Sequence, residues 1–206
     1  MTSAIALADA EGLEAVTIRR LAQEHDVTPM AMYWHFSDKE ALLDGIAEQL
    51  LADVRLPAPS DQPWDVQLRA ILQAFLDAIR PHPNIAGLTL KRILGCEPGL
   101  ALAERALGLL REGGVPTGRS ADIGTFLLCA VIALVGNEPG PKHRLEGEER
   151  EEMIRHKRAA FAALSPERYP NVLAAGPALA VCGDEDDYFA VNLDLLVAGV
   201  RGLPGR

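Results

Sequence analysis

A chain of 206 residues and 22.2 kDa is long enough for one large or two small domains with a sizeable core. Hydrophobic residues at 49% and charged residues at 24% exclude a disordered chain. The longest unbroken apolar run, Phe126 to Val135, is about half of the roughly 20 residues a spanning helix needs, so no membrane protein is expected.

The net charge is −9. Up to Leu56 there are four basic residues against ten acidic ones, so bulk attraction to a polyanion is excluded for that part. Cys96, Cys129 and Cys182 lie far apart and make neither a disulfide framework nor a metal-ligand spacing. No basic-then-apolar leader opens the chain, and a cytoplasmic location is expected.

The expected fold class is all-α, because strand alternation is absent and Gly and Pro fall between periodic segments. Thr2 to Glu11 reads as a first helix with Ile5 and Ala8 inward, stopped by Gly12. Thr17 is a good N-cap for a second helix from Ile18 to His25, with Ile18, Leu21 and Ala22 inward. Thr28-Pro29 starts a third, short helix reaching His35-Phe36. Ser37-Asp38-Lys39-Glu40 reads as a capping box launching a long helix to Arg55, striped by Leu42, Leu43, Ile46 and Leu50.

Leu56-Pro57-Ala58-Pro59-Ser60 marks a boundary, dividing residues 1–50 from 51–206. Beyond it, Leu68, Ile71, Leu72, Phe75, Leu76 and Ile79 keep helical spacing until Pro81 and Pro83. A further helix spans Pro98 to Glu112 and closes at Gly113-Gly114. Arg119 to Gly136 is apolar nearly all round, which predicts burial on more than one side. Asn137 to Gly147 reads as a loop, followed by an acid-rich helix from Glu148 to Leu164 and a Pro-punctuated segment from Pro166 to Ala180. The last helix has Asp184, Glu185, Asp186 and Asp187 at its positive end and Arg201 at its negative end. Phe189, Leu193, Leu196, Val200 and Leu203 give it a seam for packing against other helices.

The chemistry concentrates in Thr17 to Lys39, TIRRLAQEHDVTPMAMYWHFSDK. Two short helices joined by His25-Asp26-Val27 make a helix-turn-helix, whose second helix can enter a DNA major groove. With Val27, Met32 and Phe36 inward, Thr28, Pro29, Met30, Ala31, Tyr33, Trp34 and His35 are left outward. A soluble protein seldom exposes Tyr-Trp-His together without a partner.

The run MAMYWHFSDKEALLDGI, preceded by GLEAVTIRRLAQEHDVT, resembles the DNA-binding domain of tetracycline-repressor (TetR) family regulators. Helix order and the ending YFAVNLDLLVAGVRGL extend the resemblance over the rest of the chain. It implies an N-terminal three-helix, homeodomain-like DNA-binding domain and a C-terminal helical domain that binds a ligand and dimerises. The implied function is a ligand-responsive repressor, a homodimer on a palindromic double-stranded operator, released by a small hydrophobic effector.

By the same resemblance, Thr17 and Arg19 match phosphate- or base-contacting positions, with Arg19 suited to a guanine edge. Thr28, Pro29, Met30 and Ala31 match the base-facing start of the recognition helix. Pro29 and Met30 have few donors, so reading there would be apolar, for example against thymine methyls. Tyr33, Trp34, His35 and Lys39 match positions that clamp the backbone. Capping remains a competing role for Thr17, Thr28 and Pro29, and packing on the long helix one for Tyr33. His35 has no ligand-spaced partners, and no metal is expected there. Two departures stand out: Asp26 sits where the family usually has glycine, and no basic lead-in precedes the first helix.

The all-round apolar segment and the final seam exceed the needs of one small core, which implies a four-helix bundle made with a second copy. The effector pocket is expected between Trp64 and Val135. Phe75 matches a pocket residue, although an ordinary core role on its stripe competes with that reading. The positions that hold drug and magnesium in tetracycline repressors fall on Ile71 and Thr89, so no magnesium–tetracycline binding and no cofactor are expected. No phosphate loop, nucleophile elbow or metal-spaced set points to an enzyme. The competing reading is a dimeric helical binding protein whose helix-turn-helix has lost DNA binding, in keeping with the acidic N-terminal part.

Overall fold

The computed structural model describes residues 1–138, 147–181 and 185–203. Among these no strand occurs. The N-terminal helices are α1 (Thr2–Glu11), α2 (Ile18–Glu24), α3 (Pro29–Tyr33) and α4 (Lys39–Ala52). Then come α5 (Trp64–Ile79), α6 (Leu88–Arg92), α7 (Glu97–Glu112), α8 (Thr117–Gly136), α9 (Glu148–Ala162), α10 (Pro170–Val181) and α11 (Glu185–Arg201). Cys182, Asp184 and most of the expected loop after Asn137 lie outside the described residues. The chain forms two compact units, the described residues of Met1–Asn137 with Asn192–Arg206, and those of Glu138–Val191.

In the first unit, α1, α2 and α4 close around Ile5, Ala8, Val16, Ile18, Leu21, Leu42, Ile46 and Leu50. Gly12 ends α1 at φ +85°, a conformation that costs glycine little. Ile85 and Leu88, from the stretch leading into α6, are buried in this same core. The N-terminal head therefore shares its interior with the region behind it.

Behind the head, α5 turns Leu68, Ile71, Leu72, Phe75, Leu76 and Ile79 inward, and all are buried. They meet Leu102, Leu109 and Leu110 of α7 and Leu127, Leu128, Val131 and Val135 of α8. Burying each such side chain stabilises the fold by about 1.5–3 kcal/mol. Two ion pairs tie α5 to α11: Arg69 Nε donates to Asp194 at 2.5 Å, and Arg201 donates to the buried Asp65. In the second unit, α9 is a charged helix with no buried residue, and Gly176 of α10 faces Phe161.

Several expectations are corrected. The expected capping box gives way to a single cap: Asp38 caps α4 by accepting from Ala41 N at 2.8 Å, while Ser37 Oγ donates to Asp38. The long helix stops at Ala52, not Arg55. The sequence pattern shows no sign of α6 or of the 3-10 turn Ile93–Gly95, because five and three residues are too short for periodicity. The burial expected on more than one side of α8 is met on one side within the chain, by α5 and α7, and the face carrying Phe126, 61% exposed, stays open.

The final seam also divides. Phe189, Leu193 and Val200 are buried and Leu196 is half-buried, whereas Val191 and Leu195 form the exposed apolar stripe. The unbroken run of ten understated α8, which at 20 residues is long and apolar enough to cross a membrane. Its buried positions sit in the helical core, and a core helix meets the same criterion.

Two glycines of α7 separate packing from propensity. A Cβ on Gly99 would lie 1.9 Å from the Ile93 carbonyl oxygen, whereas one on Gly108 meets nothing within 4 Å. Urea unfolding at fixed protein concentration should show Gly99→Ala destabilised by about 1–3 kcal/mol and Gly108→Ala stabilised by up to about 1 kcal/mol.

Candidate nucleic-acid interface and ligand cavity

The helix-turn-helix is specified locally. Thr17 caps α2 by accepting from Arg20 N at 3.1 Å, and Thr28 caps α3 by accepting from Ala31 N at 3.2 Å. Pro29 opens α3, where its missing N–H costs nothing. Between the helices Asp26 adopts φ +52°, the left-handed geometry that the turn demands and that aspartate tolerates. Met32 and Phe36 pack against the head's core as expected. Val27 does not: at 43% exposure it lies outside the core, because the turn holds it between two short helices.

α3 proper ends at Tyr33, earlier than its pattern suggests. The chain continues as a turn in which His35 N and Phe36 N donate to Met32 O, each at 3.0 Å. Pro29, Met30, Ala31, Tyr33, Trp34 and His35 are all exposed, with Met30 at 70% and Trp34 at 85%. Thr17, Ile18, Arg19, Tyr33 and Lys39 line one shallow cleft on this side, so residues 22 positions apart in sequence meet on one surface.

The cations here differ in availability. Arg20 is held by Glu11 at 2.7 Å and by Glu24 at 3.4 Å. Lys39 reaches Glu14 at 3.6 Å. Arg19 is exposed and forms no ion pair among the described residues, which leaves its guanidinium free for an external acceptor.

A separate cavity of about 160 Å³ lies among α5, α7, α8 and the turn after α6. Phe75 lines it with Ile71, Leu94, Leu102, Leu107 and Leu128, and Thr125 carries the one hydroxyl of its lining. Thr89 is fully buried outside this lining, and its hydroxyl donates to Ala86 O at 2.7 Å. Among the described residues no cluster of His, Cys, Asp and Glu could hold a metal ion.

Sequence reasoning missed the contacts joining cavity and head. Ile93 and Leu94 line the cavity, and the preceding residue, Arg92, donates to Asp44 at 2.5 Å and to Glu40 at 2.7 Å on α4. Nearby, His82 Nδ1 donates to Asp9 Oδ2 at 2.6 Å, and Asn84 donates to Asp9 O at 3.0 Å. The partners are separated by dozens of residues, so no local spacing announces them. A lone Lys-Arg pair in an apolar stretch was the only available cue.

Comparison with known proteins gives two family matches. Residues 1–46 match "Bacterial regulatory proteins, tetR family", and residues 56–203 match "Tetracyclin repressor-like, C-terminal domain". The chain is 27% identical over 205 residues to an HTH-type transcriptional regulator of Saccharopolyspora erythraea, covering 100% of this chain and 84% of that one. It is 30% identical over 139 residues to the class A tetracycline repressor of Escherichia coli, covering 63% and 62% of the two chains. Among solved structures, ActR of Streptomyces coelicolor in complex with actinorhodin superposes with a TM-score of 0.80 at 26% identity, covering 97% and 92%.

The exposed face and its caps should respond differently to truncation. Trp34→Ala should leave unfolding free energy within about 0.5 kcal/mol, since the side chain is mostly in solvent. Thr28→Ala should cost about 1 kcal/mol through the lost cap. Denaturant titrations followed by circular dichroism measure both.

Proposed function

The chain belongs to the TetR family of bacterial transcriptional regulators, and on that premise we propose how it recognises DNA and responds to a ligand. The observation that carries the reading is the free guanidinium of Arg19 beside the exposed Met30–His35 surface of a capped helix-turn-helix. Residues 1–50 bind DNA, and residues 51–206 bind effector and dimerise. Arg19 reads a guanine edge, with Thr17 beside it. Thr28, Pro29, Met30 and Ala31 lie against base edges. Tyr33, Trp34, His35 and Lys39 hold the phosphate backbone and set register.

The dimer is built on faces the chain leaves open. On α8, Phe126 and Ala133 are exposed and Cys129 is half-buried between them; on α11, Leu195 and Ala198 are exposed. Spacings of three and four place each set on one helix face, which suits a four-helix bundle with a second copy. Two-fold symmetry then asks for a palindromic operator.

The effector is a small hydrophobic molecule held in the cavity beside Phe75. Ile71 in the lining and the self-satisfied Thr89 offer nothing to a magnesium–tetracycline complex. A ligand that displaces Ile93 or Leu94 moves Arg92, and Arg92 carries the shift to α4 through Glu40 and Asp44. Effector thereby favours the conformer whose recognition helices are misplaced for DNA. Regulation of this kind takes place in the cytoplasm, where the operator lies.

Selection from random duplex DNA should enrich a two-fold palindrome. Arg19→Ala should then weaken binding to it by about 1–3 kcal/mol in fluorescence anisotropy. A pool without enriched sites would overturn DNA recognition and favour a helical binding protein with an inactive head. Light scattering at micromolar concentration should report a dimer for the native chain and a monomer for Leu195→Glu, which sets a charge in the bundle face.

A further inference from the structure

We propose that Met30 is a methyl reader: it recognises the C5-methyl of a pyrimidine in the major groove, so that operator affinity depends on thymine methyl groups. The inference rests on the DNA-binding reading above and specifies its chemistry.

The start of α3 offers bases little to hydrogen-bond with. Pro29, Met30 and Ala31 are consecutive, exposed and without a side-chain N–H, O–H or carbonyl. The neighbouring Thr28 oxygen is already engaged by Ala31 N at 3.2 Å. Met30, at 70% exposure, leaves an unbranched thioether in water at an apolar cost that the fold does not recover. The major groove presents one apolar protrusion, the C5-methyl of thymine, and otherwise donors and acceptors. A flexible, polarisable chain of three rotatable bonds can close on that methyl over a range of approach angles.

The electrostatics favour the same conclusion. The first 56 residues hold four basic against ten acidic side chains, and two of those bases, Arg20 and Lys39, already face carboxylates. Few phosphates are neutralised, so counterion release contributes less than in a basic binder. Apolar contacts at the base edges then carry a larger share of affinity. Arg19 supplies the hydrogen-bonded half of the code and Met30 the hydrocarbon half.

The test uses the full-length dimer and a palindrome enriched from random DNA. Each thymine of a half-site is replaced by deoxyuridine, which keeps base pairing and removes only the methyl. At one thymine per half-site, binding should fall about four-fold, and about fifteen-fold when both half-sites are changed. Met30→Ala should abolish that difference, and Met30→Leu should retain it. In the same position, a 5-methylcytosine·guanine pair should bind more tightly than cytosine·guanine, since either base supplies the methyl.

Equal affinity for thymine and deoxyuridine duplexes at every position would overturn the proposal while leaving DNA recognition intact. So would full methyl sensitivity in Met30→Ala, or equal binding of the cytosine and 5-methylcytosine duplexes. Failure to enrich any palindrome would overturn DNA recognition itself, and the methyl reading with it.

Discussion

The grip of Arg92 on α4 is the polar contact that joins the cavity wall to the N-terminal head. One guanidinium, largely buried, bonds Asp44 at 2.5 Å and Glu40 at 2.7 Å, one turn apart on the same helix. Its rigid planar fork presents separate nitrogens to the two carboxylates at once. Ile85 and Leu88 sink into the head's core just upstream, while Ile93 and Leu94 turn to the cavity just downstream. Eleven residues, from Ile85 to Gly95, thus belong to the interior of the head at one end and to the cavity wall at the other.

Five residues of α6 followed by a 3-10 turn carry the chain from the head's core to the cavity wall. The pair of Asp9 with His82 and the bond from Asn84 to Asp9 O anchor the start of this stretch on α1. Polar contacts thus tie this stretch to α1 at one end and to α4 at the other.

Much of this was readable in the residues and some was not. Caps carried the helix starts: Thr17 and Thr28 each satisfy one backbone N–H by a local bond, and such bonds depend on neighbours alone. The stripe Leu68–Ile79 marked α5 for the same reason. Asp26 kept the turn without glycine, at the angle expected. What spacing could not carry was partnership at a distance. The face of α11 that stays exposed is set by where α5 lies, through Arg69 with Asp194 and Asp65 with Arg201; the spacing marked the buried seam of Phe189, Leu193 and Val200 but not the second apolar stripe at Val191 and Leu195. The Arg92 contacts are invisible for the same reason, since they span 48 and 52 residues.

The recognition segment is fastened to the head by two half-buried side chains, Met32 and Phe36, while Pro29, Met30 and Ala31 take no part in any core. On the proposed reading, stability and specificity are therefore encoded by different letters of the same short word. Single changes at the outward letters cost the fold almost nothing. Such a scaffold is free to drift toward new binding sites over evolutionary time, one substitution after another, without passing through unfolded ancestors.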